Sequence, residues 1–173
     1  MALTGLGHVG LHVNDLDAEA DFFERVVGLT ITDRDPAVGM VFLSSRPYEE
    51  HHELLLCGGR DAPPGALMLQ QVSFHCASLD DMIAYNRRFR EHGVTIDMIV
   101  THGNAIGIYF YDPEGNRCEI YWKTGLDAHQ PFLADIDLDQ PADAVMARVR
   151  DLVARYGATG FVEHRAALTA QNI

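Results

Sequence analysis

Cysteine is scarce in this chain: three in 173 residues, Cys57, Cys76 and Cys118, an odd number with no C-x-x-C spacing. That excludes a disulfide framework and a thiolate zinc site, and leaves three buried thiols as the expectation. Positive charge is scarce too. Lys and Arg number 13 against 25 Asp and Glu, a net charge of −12, whereas a nucleic-acid backbone or an anionic membrane surface calls for clustered cations. Neither is expected as a partner, and a small molecule is. No apolar run approaches the length that spans a bilayer, and no charged start leads into an apolar stretch with a small-residue cleavage site, so the sequence reads as cytoplasmic. What the chain has in quantity is hydrophobic residues, 47% of the total, enough for a domain with a real core.

A degenerate internal repeat organises the rest. Residues 7–17, GHVGLHVNDLD, recur as residues 70–80, QQVSFHCASLD. Each copy opens with a short alternating strand, breaks at Asn14 and Asp15 or at Ser78, and enters a helical stretch. In the first helix Ala18, Phe22, Val26 and Val27 form an apolar stripe; in the second Met82, Ile83, Tyr85 and Phe89 do so, and the helices end at Gly28 and Gly93. Strands follow at 29–32, 41–43 and 53–56 in the first copy and at 94–97, 108–111 and 119–122 in the second, with turns at Pro47 and at 112–116, DPEGN. Each copy is thus a βαβββ module. The Gly- and Pro-rich residues 58–65 read as a connecting loop, which places the modules at 5–58 and 67–123. Beyond Trp122 an Asp-rich loop runs to Asp139, and Pro141 opens a helix with Val145, Met146, Val149, Leu152, Val153 and Tyr156 on its apolar face, ended by Gly157. Residues 124–173 read as a C-terminal loop and helix arm.

Side chains two apart on a strand share a face. His8 and His12 therefore point one way, as do Gln71, Ser73 and His75 in the second copy, while Glu119 lies in the last strand between Cys118 and Ile120. Strands lining one concave surface would bring His8, Gln71 and Glu119 together, an imidazole, an amide oxygen and a carboxylate. Iron, manganese, zinc and nickel all suit such donors. A carboxylate in an otherwise apolar strand is costly to bury without a cation, which favours the ligand reading of Glu119. His8 and Gln71 also read as core residues, and His92, His129 and His164 carry no ligand signal.

These motifs resemble the vicinal-oxygen-chelate superfamily, and within it the small type I extradiol ring-cleaving dioxygenases. The likeness is strongest where His102 and Gly103 lead into 108–119, IYFYDPEGNRCE, which is similar to the family's final hairpin; His51, His52 and Glu53 before the second copy are similar to the stretch holding its acid/base histidine. The resemblance covers roughly residues 5 to 123. It implies an α+β fold of two βαβββ modules forming a curved mixed sheet around a metal-binding cup. It further implies Fe(II) bound by His8 and Glu119, proton transfer by His52, and contacts from His102 and Tyr109 to the oxygen of a catechol-like substrate that reacts with dioxygen. The family's second iron-binding histidine falls on Gln71, where this chain departs from the pattern. His75 shares the face but stands roughly 6–7 Å further along. A homodimer or higher homo-oligomer is implied by the same analogy.

Two alternatives stay open. The repeat places Glu53 opposite Glu119, so that His8, Glu53, Gln71 and Glu119 make a glyoxalase-like, non-redox metal site for isomerase or lyase chemistry. His52 and Glu53 point to opposite faces of a regular strand, so only one of them faces the cup. The other alternative is a metal-free module that sequesters a ligand in the same fold.

Overall fold

The structure, a computed structural model, describes residues 5–63, 66 and 69–163. Pro64 and Gly65 of the expected linker, and His164, lie outside the described residues. The chain divides into two units: the first comprises residues 1–68 with the turn 112–116, the second residues 69–111 and 117–173.

In the first unit β1 (Val9–Val13) leads into α1 (Leu16–Phe22), which continues as a π-helical segment, Phe23–Val27, and is followed by β2 (Thr30–Asp35), β3 (Met40–Ser44) and β4 (Leu54–Gly58). Asp15 caps the helix by accepting the Ala18 N–H at 3.0 Å. Gly28, at φ 91°, supplies the left-handed residue that ends it. The sheet order is β1-β4-β3-β2, with β1 parallel to β4 and the other pairs antiparallel. Val41 and Leu43 pair with Leu56 and Leu54 and are fully buried on the face that α1 covers. The alternation puts Phe42 and Leu55 on the opposite face.

The helix stripe differs from the expectation. Ala18 is exposed, and the buried residues are Glu19, Ala20, Phe22, Phe23, Val26 and Val27. These recur at the helical spacing i, i+3, i+4 and i+7, and the buried face centres on Ala20 and Phe23, which leaves Ala18 outside it.

The second unit repeats the plan with β5 (Val72–His75), α2 (Leu79–Glu91), β6 (Ile96–Thr101), β7 (Ala105–Tyr111) and β8 (Arg117–Lys123). Its strands order as β5-β8-β7-β6, matching β1-β4-β3-β2, so the sequence repeat is a repeat of topology. The α+β fold of two βαβββ modules that the resemblance implied is the fold found; its strands lie in two hydrogen-bonded sheets, and in each the first strand of a copy pairs with the last strand of that same copy. Ile106, Ile108, Phe110, Cys118 and Ile120 make the apolar face, and Phe110 meets Phe89 of α2 with ring centroids 4.5 Å apart.

Residues 124–163 are built into this unit. Part of the expected Asp-rich loop is a strand, β9 (Phe132–Asp135), antiparallel to β6; after α3 (Ala142–Tyr156), β10 (Phe161–Val162) pairs in parallel with β9. Val145, Val149 and Leu152 of α3 are buried. Of the three thiols, all free, Cys118 is buried as expected while Cys57 and Cys76 are half-buried. Among the described residues no helix is long and apolar enough to cross a membrane.

Gly103 joins β6 to β7 at φ +74°, and a Cβ there would come within 2.5 Å of the Ala128 Cβ. Gly103→Ala is therefore expected to lower stability by about 2 kcal/mol or more, read as the urea midpoint, since it combines a left-handed backbone with overpacking.

Candidate active site

On the second unit's sheet, Tyr109 pairs with Glu119 and Gly107 with Tyr121 across β7 and β8, while Ser73 of β5 pairs with Glu119 from the other side. The alternation of strands thus puts Ser73, Gly107, Tyr109, Arg117 and Glu119 on one face. Glu119 is 6% exposed. Its Oε2 accepts hydrogen bonds from Ser73 Oγ at 2.6 Å and Gln71 Nε2 at 3.0 Å, and the same Gln71 amide donates to Ser73 Oγ at 2.8 Å. Gln71 therefore turns its N–H group, not its oxygen, to the carboxylate; its Oε1 lies 3.4 Å from Arg117 Nη1. Space for the carboxylate comes from Gly107, where any Cβ would stand 2.6 Å from Glu119 Oε1.

Tyr109, 7% exposed, meets His102 through an Oη to Nε2 distance of 3.0 Å. Burial first, and then the Glu119 charge, push the phenol well above the ordinary tyrosine range, so it stays protonated as a hydrogen-bond donor. Arg117 lies with its Cζ 4.2 Å from the centroid of the Tyr109 ring and forms an ion pair with Asp97 at 2.9 Å. These groups open on a cavity of about 210 Å³ whose apolar wall includes Met98, Pro131, Phe132 and Leu133.

The first unit holds the remaining candidates. His8 is exposed just before β1, and its ring centroid is 4.3 Å from that of His52. His52 lies in the loop before β4, with its Nδ1 3.0 Å from His51 Nδ1 and its ring 5.2 Å from Phe42. Burial, followed by the neighbouring His8 and His51, lowers the His52 pKa, so the ring is neutral at pH 7 and able to accept a proton. Glu53 is engaged elsewhere: it accepts from Ser45 N–H at 2.8 Å, Ser45 Oγ at 2.5 Å and Arg46 Nη2 at 2.9 Å. Burial would raise its pKa, but the Ser45 and Arg46 interactions outweigh it and hold the carboxyl below its usual range.

Sequence reasoning singled out Gln71, Glu119, His102 and Tyr109, and the structure gathers these four on one unit, as it brings His8 and His52 together on the other. It left Arg117 and Gly107 without roles, although each stands two residues from a named site residue on the same strand. It gave Ser73 only a face. Among the described residues no cluster of three or more His, Cys, Asp or Glu is placed to hold a metal ion.

The chain belongs to the Glyoxalase/Bleomycin resistance protein/Dioxygenase superfamily, whose sequence profile matches residues 5–120. It is 32% identical over 120 residues to biphenyl-2,3-diol 1,2-dioxygenase 3 of Rhodococcus globerulus, a match covering 66% of this chain and 61% of that protein. It is 36% identical over 61 residues to the catechol-2,3-dioxygenase of Bacillus subtilis strain 168, covering 35% of this chain and 21% of that one. The matches thus span less than two thirds of these curated relatives. The fosfomycin resistance protein FosX of Listeria monocytogenes shares the fold, with a TM-score of 0.57 at 19% identity over 72% of this chain and 97% of that chain.

Proposed function

We propose that the chain binds a catechol-type aromatic diol and opens its ring with dioxygen in the extradiol manner. The observation that supports this best is the His102–Tyr109 pair, which faces a cavity on the same unit as Glu119. The names of the two dioxygenase relatives point the same way. At about 210 Å³ the cavity is below the range of roughly 300–1,000 Å³ typical of drug-sized ligands, which suits a single aromatic ring. Met98, Pro131, Phe132 and Leu133 give that ring an apolar wall.

Within this reading Tyr109 donates a hydrogen bond to a diol oxygen, and His102 Nε2 takes up a substrate proton. Arg117 fixes the Tyr109 ring from its face. His52, neutral at pH 7, is the group proposed to move a proton to and from the substrate. Both oxygen atoms of dioxygen enter the product as the carbon–carbon bond beside the diol breaks, so no further oxidant is required.

His8, Gln71 and Glu119 are the metal ligands proposed from the resemblance, with Fe(II) as the ion. The near-buried Glu119 carboxylate, cradled by Gly107 and hydrogen-bonded by the neutral Gln71 and Ser73, fits a divalent cation. Gln71 joins it as a ligand only with its amide turned to present Oε1. When bound, Fe(II) supplies the electron path between diol and dioxygen. The glyoxalase-like set is less well supported, because Arg46 and Ser45 occupy Glu53.

The test is oxygen uptake by anaerobically Fe(II)-reconstituted protein given catechol or 2,3-dihydroxybiphenyl, with absorbance followed for a yellow ring-opened product. Stoichiometric uptake is expected, falling at least a hundredfold in Glu119→Ala and His102→Ala. Tight diol binding without uptake would overturn ring cleavage in favour of sequestration, a reading that the neutral donors saturating Glu119 Oε2 also suit.

A further inference from the structure

The segment that follows the last repeated strand approaches His102 at two points. His102 Nδ1 is 3.0 Å from the Phe132 carbonyl oxygen. A carbonyl can only accept, so Nδ1 carries the ring proton. Whenever the ring holds a single proton, Nε2 is then a lone pair, and it faces the Tyr109 hydroxyl at 3.0 Å. Gln130 spans the same contact: its Nε2 donates to the His102 carbonyl at 2.9 Å, and its Oε1 accepts the Phe132 N–H at 3.0 Å. One side chain thus holds the main chain at both ends of the Nδ1–H···O=C hydrogen bond.

We infer that Gln130 is a positioning residue, which with the Phe132 carbonyl locks His102 as the Nδ1–H tautomer and so makes Nε2 the proton acceptor of the cavity. The C-terminal segment is therefore part of the active site. It supplies one wall through Pro131, Phe132 and Leu133 and fixes the chemistry of the histidine on the other. The repeat alone lacks this control, because a ring with Nδ1 facing solvent is free to carry its proton on either nitrogen. A carbonyl that accepts from the far nitrogen of a working imidazole orients the ring as well as selecting its tautomer.

The inference rests on the proposed role of His102, and its test separates the two. Nitrogen-15 NMR of the histidine rings in the full chain, assigned with His102→Gln, reads the tautomer without turnover. Wild type is expected to show protonated Nδ1 and unprotonated Nε2 at His102. Gln130→Ala is expected to give a mixture of tautomers and, in the diol-dependent oxygen assay, a roughly tenfold lower kcat with a smaller change in KM. Gln130→Glu, which keeps only the bond from Phe132 N–H, should fall between them. An Nε2–H or doubly protonated His102 in wild type, or an unchanged tautomer in Gln130→Ala, would overturn the inference. The expected tautomer shift in a protein that consumes no oxygen would uphold the positioning role and overturn ring cleavage.

Discussion

Gly107→Ala should lower diol-dependent oxygen uptake by at least a hundredfold while costing only about 1–3 kcal/mol of stability, measured as the urea midpoint. The new Cβ would lie 2.6 Å from Glu119 Oε1 and 3.2 Å from Tyr109 Cε2. Backbone cannot yield here, because β7 is paired on both sides, by β6 and β8. The carboxylate must move instead, by about the ångström that is enough to cost two orders of magnitude in rate when a reacting group is misplaced. Its hydrogen bonds from Gln71 and Ser73 would lengthen together. Glu119→Asp withdraws the carboxylate by one methylene, so Gly107→Ala and Glu119→Asp should be strongly non-additive, the double variant being better than the product of the two losses. Additive losses would mean that the two residues do not share this space.

The topology was legible because it is written twice. The recurrence of GHVGLHVNDLD as QQVSFHCASLD fixes two strand starts and two helix starts, and the order β1-β4-β3-β2 returns as β5-β8-β7-β6. The site was legible where the chemistry is unusual for its surroundings, as with Glu119 in an apolar strand. It was silent where the partner is backbone or comes from outside the repeat. The Phe132 carbonyl and Gln130 act on His102 from a segment whose Asp-rich sequence reads as loop; β9 forms there through pairing with β6, a tertiary gain that local propensity does not report. Gly107 was hidden for another reason. Its role is the room it leaves, and that is visible only once the Glu119 side chain is placed beside it. The α1 stripe failed at Ala18 because the helix buries the face centred on Ala20 and Phe23, a rotation that one exposed small residue in the sequence does not report.

That failure also concealed Glu19, from which the second large effect is expected. Wild-type protein should lose stability as pH rises from about 5 to 9, and Glu19→Gln should remove most of that slope. Glu19 is fully buried on α1, its Oε1 accepts the Glu114 N–H at 2.9 Å, and its Oε2 is buried with no donor against it among the described residues. Burial, followed by the negative charges of Asp112 and Glu114, raises its pKa from 4.5 to about 8, and Asp112 is raised as well. Glu19 therefore keeps its proton in the folded chain beside Asp112. Around them, Asp112 accepts the Asn116 N–H and side-chain amide at 2.7 Å each, and Arg60 balances Glu114 through an ion pair at 3.4 Å. Because the folded chain holds this proton more tightly than the unfolded chain, its stabilising effect is complete below 4.5 and is lost as pH climbs through about 8. The loss is of the order of 3–5 kcal/mol. Glutamine keeps an oxygen for the Glu114 N–H and offers Asp112 an N–H that does not titrate, so Glu19→Gln should match wild type at pH 5 and exceed it at pH 9. Urea unfolding at pH 5, 7 and 9 measures both arms. A wild-type midpoint that rises towards pH 9, or parallel curves for the two proteins, would show that Glu19 is ionised in the folded state.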